Sequence, residues 1–319
     1  METVLTKEQK GKTSPRPDSR SYFQKMAAYK ELYLMAIPGI IFLLLFKYLP
    51  MYGIIMAFKN YNVMKGIIGS DWVGFKNFIM LFATSDFPLA FRNTLILSVY
   101  HLSWGFPVPL IMALLLNEVR SSVLKRSVQT ITYIPHFFSW VVISGIFIDI
   151  LSPSSGIVNT IIQAFGGDPV FFMADPRYIR SILVFSSIWK EAGWGTILYL
   201  ASITSIDPEL YQAAAMDGAG RLHQTWSITI PCLLPTIIIL LIMRLGNIMD
   251  SNFEQVLMMY SASVFDVTDV IDTYVYRVSF TSLQFGLTSA AGLFKAVINC
   301  MLLLTANHVV KRLGGRGMY

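Results

Sequence analysis

Six stretches of this chain stay apolar for about as long as a helix needs to cross a bilayer, and this pattern limits the possible folds more than any other feature. They run over about 33–56, 94–116, 127–151, 181–204, 228–249 and 287–309; a bilayer core takes roughly 20 apolar residues per helix. With 54% hydrophobic and 14% charged residues and a mean hydropathy of +0.56, the 319 residues hold more apolar surface than a soluble core needs. The expected fold class is all-α and integral to a membrane, with six transmembrane helices. The second stretch is the most sharply defined, since no Asp, Glu, Lys or Arg falls between Thr94 and Leu116. The first is interrupted by Lys47 and Pro50. A helix ending there leaves residues 51–58 as an interfacial segment outside.

Charge placement sets the expected orientation. Lys and Arg number 25 against 19 Asp and Glu, for a net charge of +6, which in a soluble chain could suggest nucleic acid. Here Lys7, Lys10, Lys12, Arg16, Arg20, Lys25 and Lys30 cluster at the start and Lys311, Arg312 and Arg316 at the end. Counting alternate sides, these share a face of the membrane with Arg120, Lys125, Arg126 and Arg221, while Lys59, Lys65, Lys76, Arg92, Arg177, Arg180 and Arg277 fall opposite. The positive-inside rule places both termini in the cytoplasm, and nucleic acid is not an expected partner. Residues 1–31 read as a flexible cytoplasmic tail rather than a signal peptide, because no small-residue cleavage site follows the first span. Residues 32–90 then hold the first helix and an outer loop, 91–309 the remaining helices, and 310–319 a basic tail. Cys232 and Cys300 both fall inside spans and read as small apolar residues, not as a disulfide framework.

Between the fourth and fifth spans lies a mostly polar, helix-prone stretch, 205–231, on the cytoplasmic side. Residues 209–216 are good helix formers, the row Ala213, Ala214 and Ala215 permits close approach of another backbone, and Asp217-Gly218 supplies a bend. Such a helix can seat in a groove on a partner and pass its movement to the two spans it joins. The stretch resembles the coupling loop of importer permeases driven by a separate ATPase, where Glu-Ala-Ala is followed after three residues by Gly and after nine more by Ile-x-Leu-Pro. Gln212, Ala213, Ala214, Gly218, Ile228 and Pro231 keep that spacing without a gap. Gln212 stands where Glu is usual and Ile230 where Leu is usual; Gln keeps the length but drops the charge, so an ion pair the family makes from that position is put in doubt. The resemblance implies ATPase docking through Gln212, Ala213, Ala214, Asp217, Gly218, Ile228 and Pro231.

Further segments are similar to the oligosaccharide branch of the maltose-type permeases, which includes systems for aldouronate-like fragments. They are 49–61, 109–120, 133–142 and 269–277, so the likeness covers nearly all of the chain after residue 30. The branch implies the type I ABC importer fold in a bacterial plasma membrane, in contact with lipid. Two ATPase subunits, a second permease chain, usually a different related one, and an extracytoplasmic solute-binding protein are the implied partners. Oligosaccharide, in some members uronate-containing, is the implied cargo.

Chemistry of other kinds has little support. No phosphate loop of the form GlyxxxxGlyLys(Ser/Thr) occurs, so either an ATPase is a different polypeptide or the function is not ATP-driven, and the four His are not at metal-ligand spacing. The chain is expected to be non-catalytic, with no cofactor and no metal. Charges inside the spans are costly, roughly 2.5–3.5 kcal/mol at a helix centre, and so are candidates for a hydrated path or for pairing across helices. Lys190 and Glu191 lie in the fourth span, Arg244 in the fifth and Lys295 in the sixth. The path residues singled out are Lys190, Glu191, Trp194, Asn247 and Asp250: the first two for charge, the indole as a flat face for a sugar ring, the last two as amide and carboxylate for hydroxyls. Gly193 and Gly195 beside Trp194 allow close helix contact, and His136 reads as a packing residue. The alternative is a secondary transporter, which would show inverted repeats and paired acids at midplane.

Overall fold

The structure, a computed structural model, describes residues 29–250 and 252–312. Of the two expected tails, 1–28 and 313–319 lie outside these residues. The chain divides into two units, Met1–Tyr52 and Gly53–Tyr319. In the first, the described residues form one helix that opens α1 (Lys30–Phe58) and exposes its apolar side chains, as lipid-facing residues do. The expected stop near Pro50 does not occur. Helical geometry continues through a π turn at Leu44–Tyr48 into a 3-10 stretch, Leu49–Phe58, in which the lost Pro50 N–H is absorbed by a change of winding rather than a break.

The second unit is built around α7 (Ile179–Thr204), a continuous helix of 26 residues, about 39 Å at the usual rise. Ahead of it come α2 (Lys76–Ala83), α3 (Asp86–Glu118), α4 (Ser122–Phe137), α5 (Trp140–Ile150) and α6 (Ile157–Ala164). After it come α8 (Pro208–Met216), α9 (Arg221–Gly246), α10 (Phe253–Met259), α11 (Ile271–Thr281) and α12 (Phe285–Arg312). A two-stranded ribbon pairs β1 (Lys59–Asn60) antiparallel with β2 (Asp71–Trp72) ahead of α2.

Among the described residues, four helices are long and apolar enough to cross a membrane alone: α1, α3, α9 and α12. A fifth span results if α4 and α5 are counted together, and here the expected single run 127–151 is corrected. The two helices meet at 105°. Pro135 cannot donate in the last turn of α4, and Ser139 opens α5 by accepting from the Val142 N–H at 3.4 Å, so the chain turns instead of continuing. The fourth expected span, α7, has the length but carries Ser186, Ser187, Lys190, Glu191 and Thr196, which make it less apolar than the others. Those polar groups are tolerable because one face of α7 is enclosed: Ser186, Ser187, Lys190 and Thr196 are buried against neighbouring helices rather than lipid. At Gly193 a Cβ would collide with the Thr132 carbonyl of α4, and at Gly195 it would crowd Pro109 of α3.

Three apolar clusters hold this unit. Ala113, Leu116, Tyr199, Leu200, Ile203 and Leu233 join the C-terminal halves of α3 and α7 to the start of α9. Leu97, Leu183, Val256, Met259 and Val270 join α3 and α7 to α10 and the segment after it. Phe87, Met249, Ile271, Tyr274 and Ala290 join α3, α11 and α12. Polar bonds fasten the 253–281 region as well. Asn93 of α3 donates to the carbonyls of Asp266 (3.0 Å) and Asp269 (3.1 Å), and accepts from Arg180 at 2.8 Å. Arg180 also donates to the Val267 carbonyl at 3.0 Å.

Candidate functional site

Two places gather the residues singled out from the sequence. The first is the connection between α7 and α9. Helix α8 begins sharply because the Asp207 carboxylate accepts the Glu209 N–H at 2.9 Å and Pro208 takes the first helical position. It ends in a Schellman turn: the Gly218 N–H reaches the Ala215 carbonyl (3.1 Å), the Ala219 N–H reaches Ala214 (2.9 Å), and Gly218 sits at φ +80°. That left-handed conformation is what glycine supplies at this position.

Beyond the bend at Asp217-Gly218 the chain is helical again from Arg221. Residues 221–231 already belong to α9, wound as a π turn over Thr225–Thr229, so the connection proper is short. It is also fixed. Tyr211 Oη meets Thr229 Oγ1 at 2.9 Å, and Arg221 donates to Glu118 at the end of α3 at 3.1 Å. An open hollow of about 440 Å³ lies against it, lined by Ala214, Asp217, Gly218 and Ile228 together with His223 and Gln224. Gln212, Ala213 and Pro231 are exposed but do not line this hollow. A Cβ on Gly218 would meet no atom within 4 Å, so the bare turn faces open space.

The second place is a cavity of about 420 Å³ between α3, α7 and α9. Its wall on α3 includes a π turn, His101–Gly105, a local widening often associated with binding sites. Glu191 and Trp194 of α7, Arg244 of α9 and Asn252 also line it. The adjacent Lys190 does not. It is 7% exposed and its ammonium donates to the carbonyls of His136 (2.8 Å) and Phe138 (2.6 Å), with the Trp140 ring 5.5 Å away. Lys190 therefore caps the main chain at the α4–α5 bend.

Glu191 faces the same bend from the cavity side, with Oε2 3.0 Å from His136 Nδ1. The His136 ring lies parallel to the Trp194 indole, centroids 4.5 Å apart and planes 1° apart. His136 thus belongs to the site, which its sequence reading as a packing residue did not foresee; its partners are 55 and 58 positions away and leave no local signature. Arg244 differs from the other in-span cations, since among the described residues its guanidinium makes no hydrogen bond or ion pair.

The remaining two candidates lie elsewhere. The Asp250 carboxylate pairs with Lys295 at 2.6 Å, and Lys295 reaches Asp272 at 2.6 Å too, so this trio ties the end of α9 to α11 and α12. Asn247 donates to the Met243 carbonyl of its own helix at 3.1 Å. Neither lines the cavity. Between α10 and α11, Asp269, 1% exposed, accepts from Thr273 (2.7 Å) and Arg277 (2.8 Å); burial pushes its carboxyl up from the usual range and these bonds oppose the rise.

Residues 105–315 match the family described as binding-protein-dependent transport system inner membrane component. Among curated proteins, the polygalacturonan/rhamnogalacturonan transport system permease protein YteP of Bacillus subtilis (strain 168) is 45% identical over 295 residues, 92% of each chain. Among solved structures, a chain of the bacterial alginate ABC transporter, in complex with alginate pentasaccharide-bound periplasmic protein, superposes with a TM-score of 0.86 at 41% identity. That likeness covers 93% of this chain and 99% of the other. A second, from a bacterial ABC transporter involved in the import of the acidic polysaccharide alginate, gives 0.85 at 42% identity over 91% and 98% of the two chains.

Proposed function

The chain belongs to the family of binding-protein-dependent transport system inner membrane components, and on that premise we propose that it is the permease subunit of an ATP-driven importer for acidic oligosaccharides. The observation that carries the reading is α8: a short, capped helix with a row of alanines and a bare glycine turn, bonded through Tyr211 to α9, whose Arg221 is in turn bonded to Glu118 of α3, so that force applied to α8 reaches both. In this reading two ATPase subunits grip α8 and its hollow, at Gln212, Ala213, Ala214, Asp217, Gly218, Ile228 and Pro231. The chain then crosses a bacterial plasma membrane six times with both ends inside, taking α7 and the α4–α5 pair as spans. A second, related permease completes the path, and an extracytoplasmic binding protein delivers the cargo.

The cargo class is supported by the relatives, one named for polygalacturonan and rhamnogalacturonan and one for alginate, polymers rich in uronic acids. ATP hydrolysis is assigned to the other subunits, because the chain carries no phosphate loop. Alternating access follows from the mechanics. Closure of the ATPases draws the two α8 helices together, and the spans joined to each tilt with it.

The test is reconstitution of the full complex in proteoliposomes with its binding protein and a labelled trigalacturonate. Uptake is expected only with ATP inside the ATPase compartment and binding protein on the opposite face. Uptake by this chain without any ATPase would overturn the proposal.

A further inference from the structure

We propose that Arg244 and Trp194 form a carboxylate-reading subsite for one uronate residue in the membrane cavity, with Arg244 holding the acid and the free face of Trp194 carrying the sugar ring. This rests on the importer reading above and deepens it, moving part of the selectivity for acid sugars into the permease itself.

The electrostatics of the cavity come first. Arg244 is the one fixed cation in the lining, and among the described residues its guanidinium has no bonded partner. Arg244 is exposed towards the cavity, and a guanidinium cannot shed its proton, so its charge stays in the lining. An ionisable residue inside a span with no partner across the helices is a candidate for a transport path. The other in-span cations of the unit are satisfied: Lys190 by two carbonyls and Lys295 by two carboxylates. Glu191 is the acid nearest to hand in the same lining, but its carboxylate is turned to His136. Arg244 is thus set apart as a donor fork awaiting an anion, and a planar carboxylate matches that fork with two parallel bonds.

The second observation is the shape of the surroundings. Trp194 is 45% exposed even though one indole face is covered by the parallel His136 ring, so the uncovered face is the one offered to the cavity. A pyranose presents axial C–H groups to such a face. The third is the α3 wall. His101 is buried, lies in the π turn, and has an Nε2 atom with no hydrogen-bond partner among the described residues. An unpartnered ring nitrogen in the wall of a largely apolar cavity is one of the few polar groups there free to bond a ligand. Asn252 and Ser187, bonded to each other at 2.9 Å, add amide and hydroxyl groups for sugar hydroxyls. At about 420 Å³ the cavity is within the usual range for small-ligand sites, of order 300–1,000 Å³. Lys190, Asn247 and Asp250, none of which lines it, are not part of the subsite.

The experiment compares uptake of trigalacturonate with that of its carboxyl-reduced, neutral counterpart by the complete reconstituted transporter. Variants Arg244→Gln, Arg244→Lys and Trp194→Phe are measured beside the parent, with complex assembly checked by co-purification of the ATPase. Arg244→Gln is expected to lower the acid-to-neutral uptake ratio about tenfold or more, the loss that one charge-assisted bidentate pair implies. Arg244→Lys, which keeps the charge without the fork, should fall between. Trp194→Phe should lower uptake of both sugars with the ratio held.

A ratio unchanged in both Arg244 variants overturns the subsite; this is the result expected if Arg244 pairs with a carboxylate of the second permease. Should Arg244→Gln fail to assemble, the ratio for Arg244→Lys decides alone. If the parent complex moves the neutral sugar in an ATP-dependent manner and refuses the acidic one, the subsite falls and the importer stands. If it moves neither, both fall.

Discussion

Lys190 and Glu191 are neighbours on one helix with different tasks, because successive residues point about 100° apart around the axis. The ammonium of Lys190 caps two carbonyls at the bend while the carboxylate of Glu191 reaches the cavity. Both were legible in the sequence as in-span charges, but their roles were not, since those depend on a bend in another helix more than 50 positions upstream. Lys190→Met leaves the carbonyls of His136 and Phe138 unsatisfied, at about 1–3 kcal/mol for each buried group. The expected outcome is a lower melting temperature of the purified protein and equal losses of acidic and neutral sugar uptake. Glu191→Gln, which keeps a hydrogen-bond acceptor for His136, should melt close to the parent. A Lys190→Met protein that melts like the parent but discriminates against acidic sugars would return Lys190 to the transport path.

At the level of elements, the apolar runs located the helices well because burial in lipid makes length and apolarity the same signal. The departures have local causes. The fifth apolar run opens at 228, but α9 begins earlier, at Arg221, and its polar first turns lie where water rather than lipid surrounds them in the proposed topology. The α4–α5 bend was written in Pro135 and Ser139 but hidden by an unbroken apolar composition around them. For α8 the decisive residue is Gly218. A β-branched residue at φ +80° costs of order 1–3 kcal/mol, while Asn tolerates that region. Gly218→Val is expected to leave the protein in the membrane but abolish uptake and co-purification of the ATPase. Gly218→Asn should keep the turn; if it also releases the ATPase, the bare surface and not the turn is what the partner needs. Normal uptake by Gly218→Val would remove α8 from the coupling route.

For the whole molecule, the question under the proposed topology is how an event at the outer face would reach α8. Helix α7 is continuous between the two, packed on α3 throughout, and its outer end is bonded through Arg180 to the Val267 carbonyl and to Asn93. In the proposed topology, a rod fastened at one end to the 266–269 stretch and continuing at the other into α8 transmits tilt without needing a chain of switching side chains. Asn93→Ala removes its bonds to Asp266, Asp269 and Arg180 and leaves the buried Asp269 carbonyl without its donor, while Arg92 still reaches the Asp266 carbonyl. Stimulation of ATP hydrolysis by the loaded binding protein should then weaken several-fold, while hydrolysis without binding protein persists. Equal stimulation in parent and variant would mean that the outer fastening is not on the signalling route.

One detail of that fastening reaches beyond mechanics. The bonds that Asn93 and Arg180 make to the stretch 266–269 end on main-chain oxygens, which every amino acid possesses. The stretch can therefore exchange side chains at Asp266 and Val267 while its path in space stays put. Heredity is given a mounting bracket whose faceplate is replaceable, so that a lineage could retune what its outer surface greets while leaving the machinery behind it untouched.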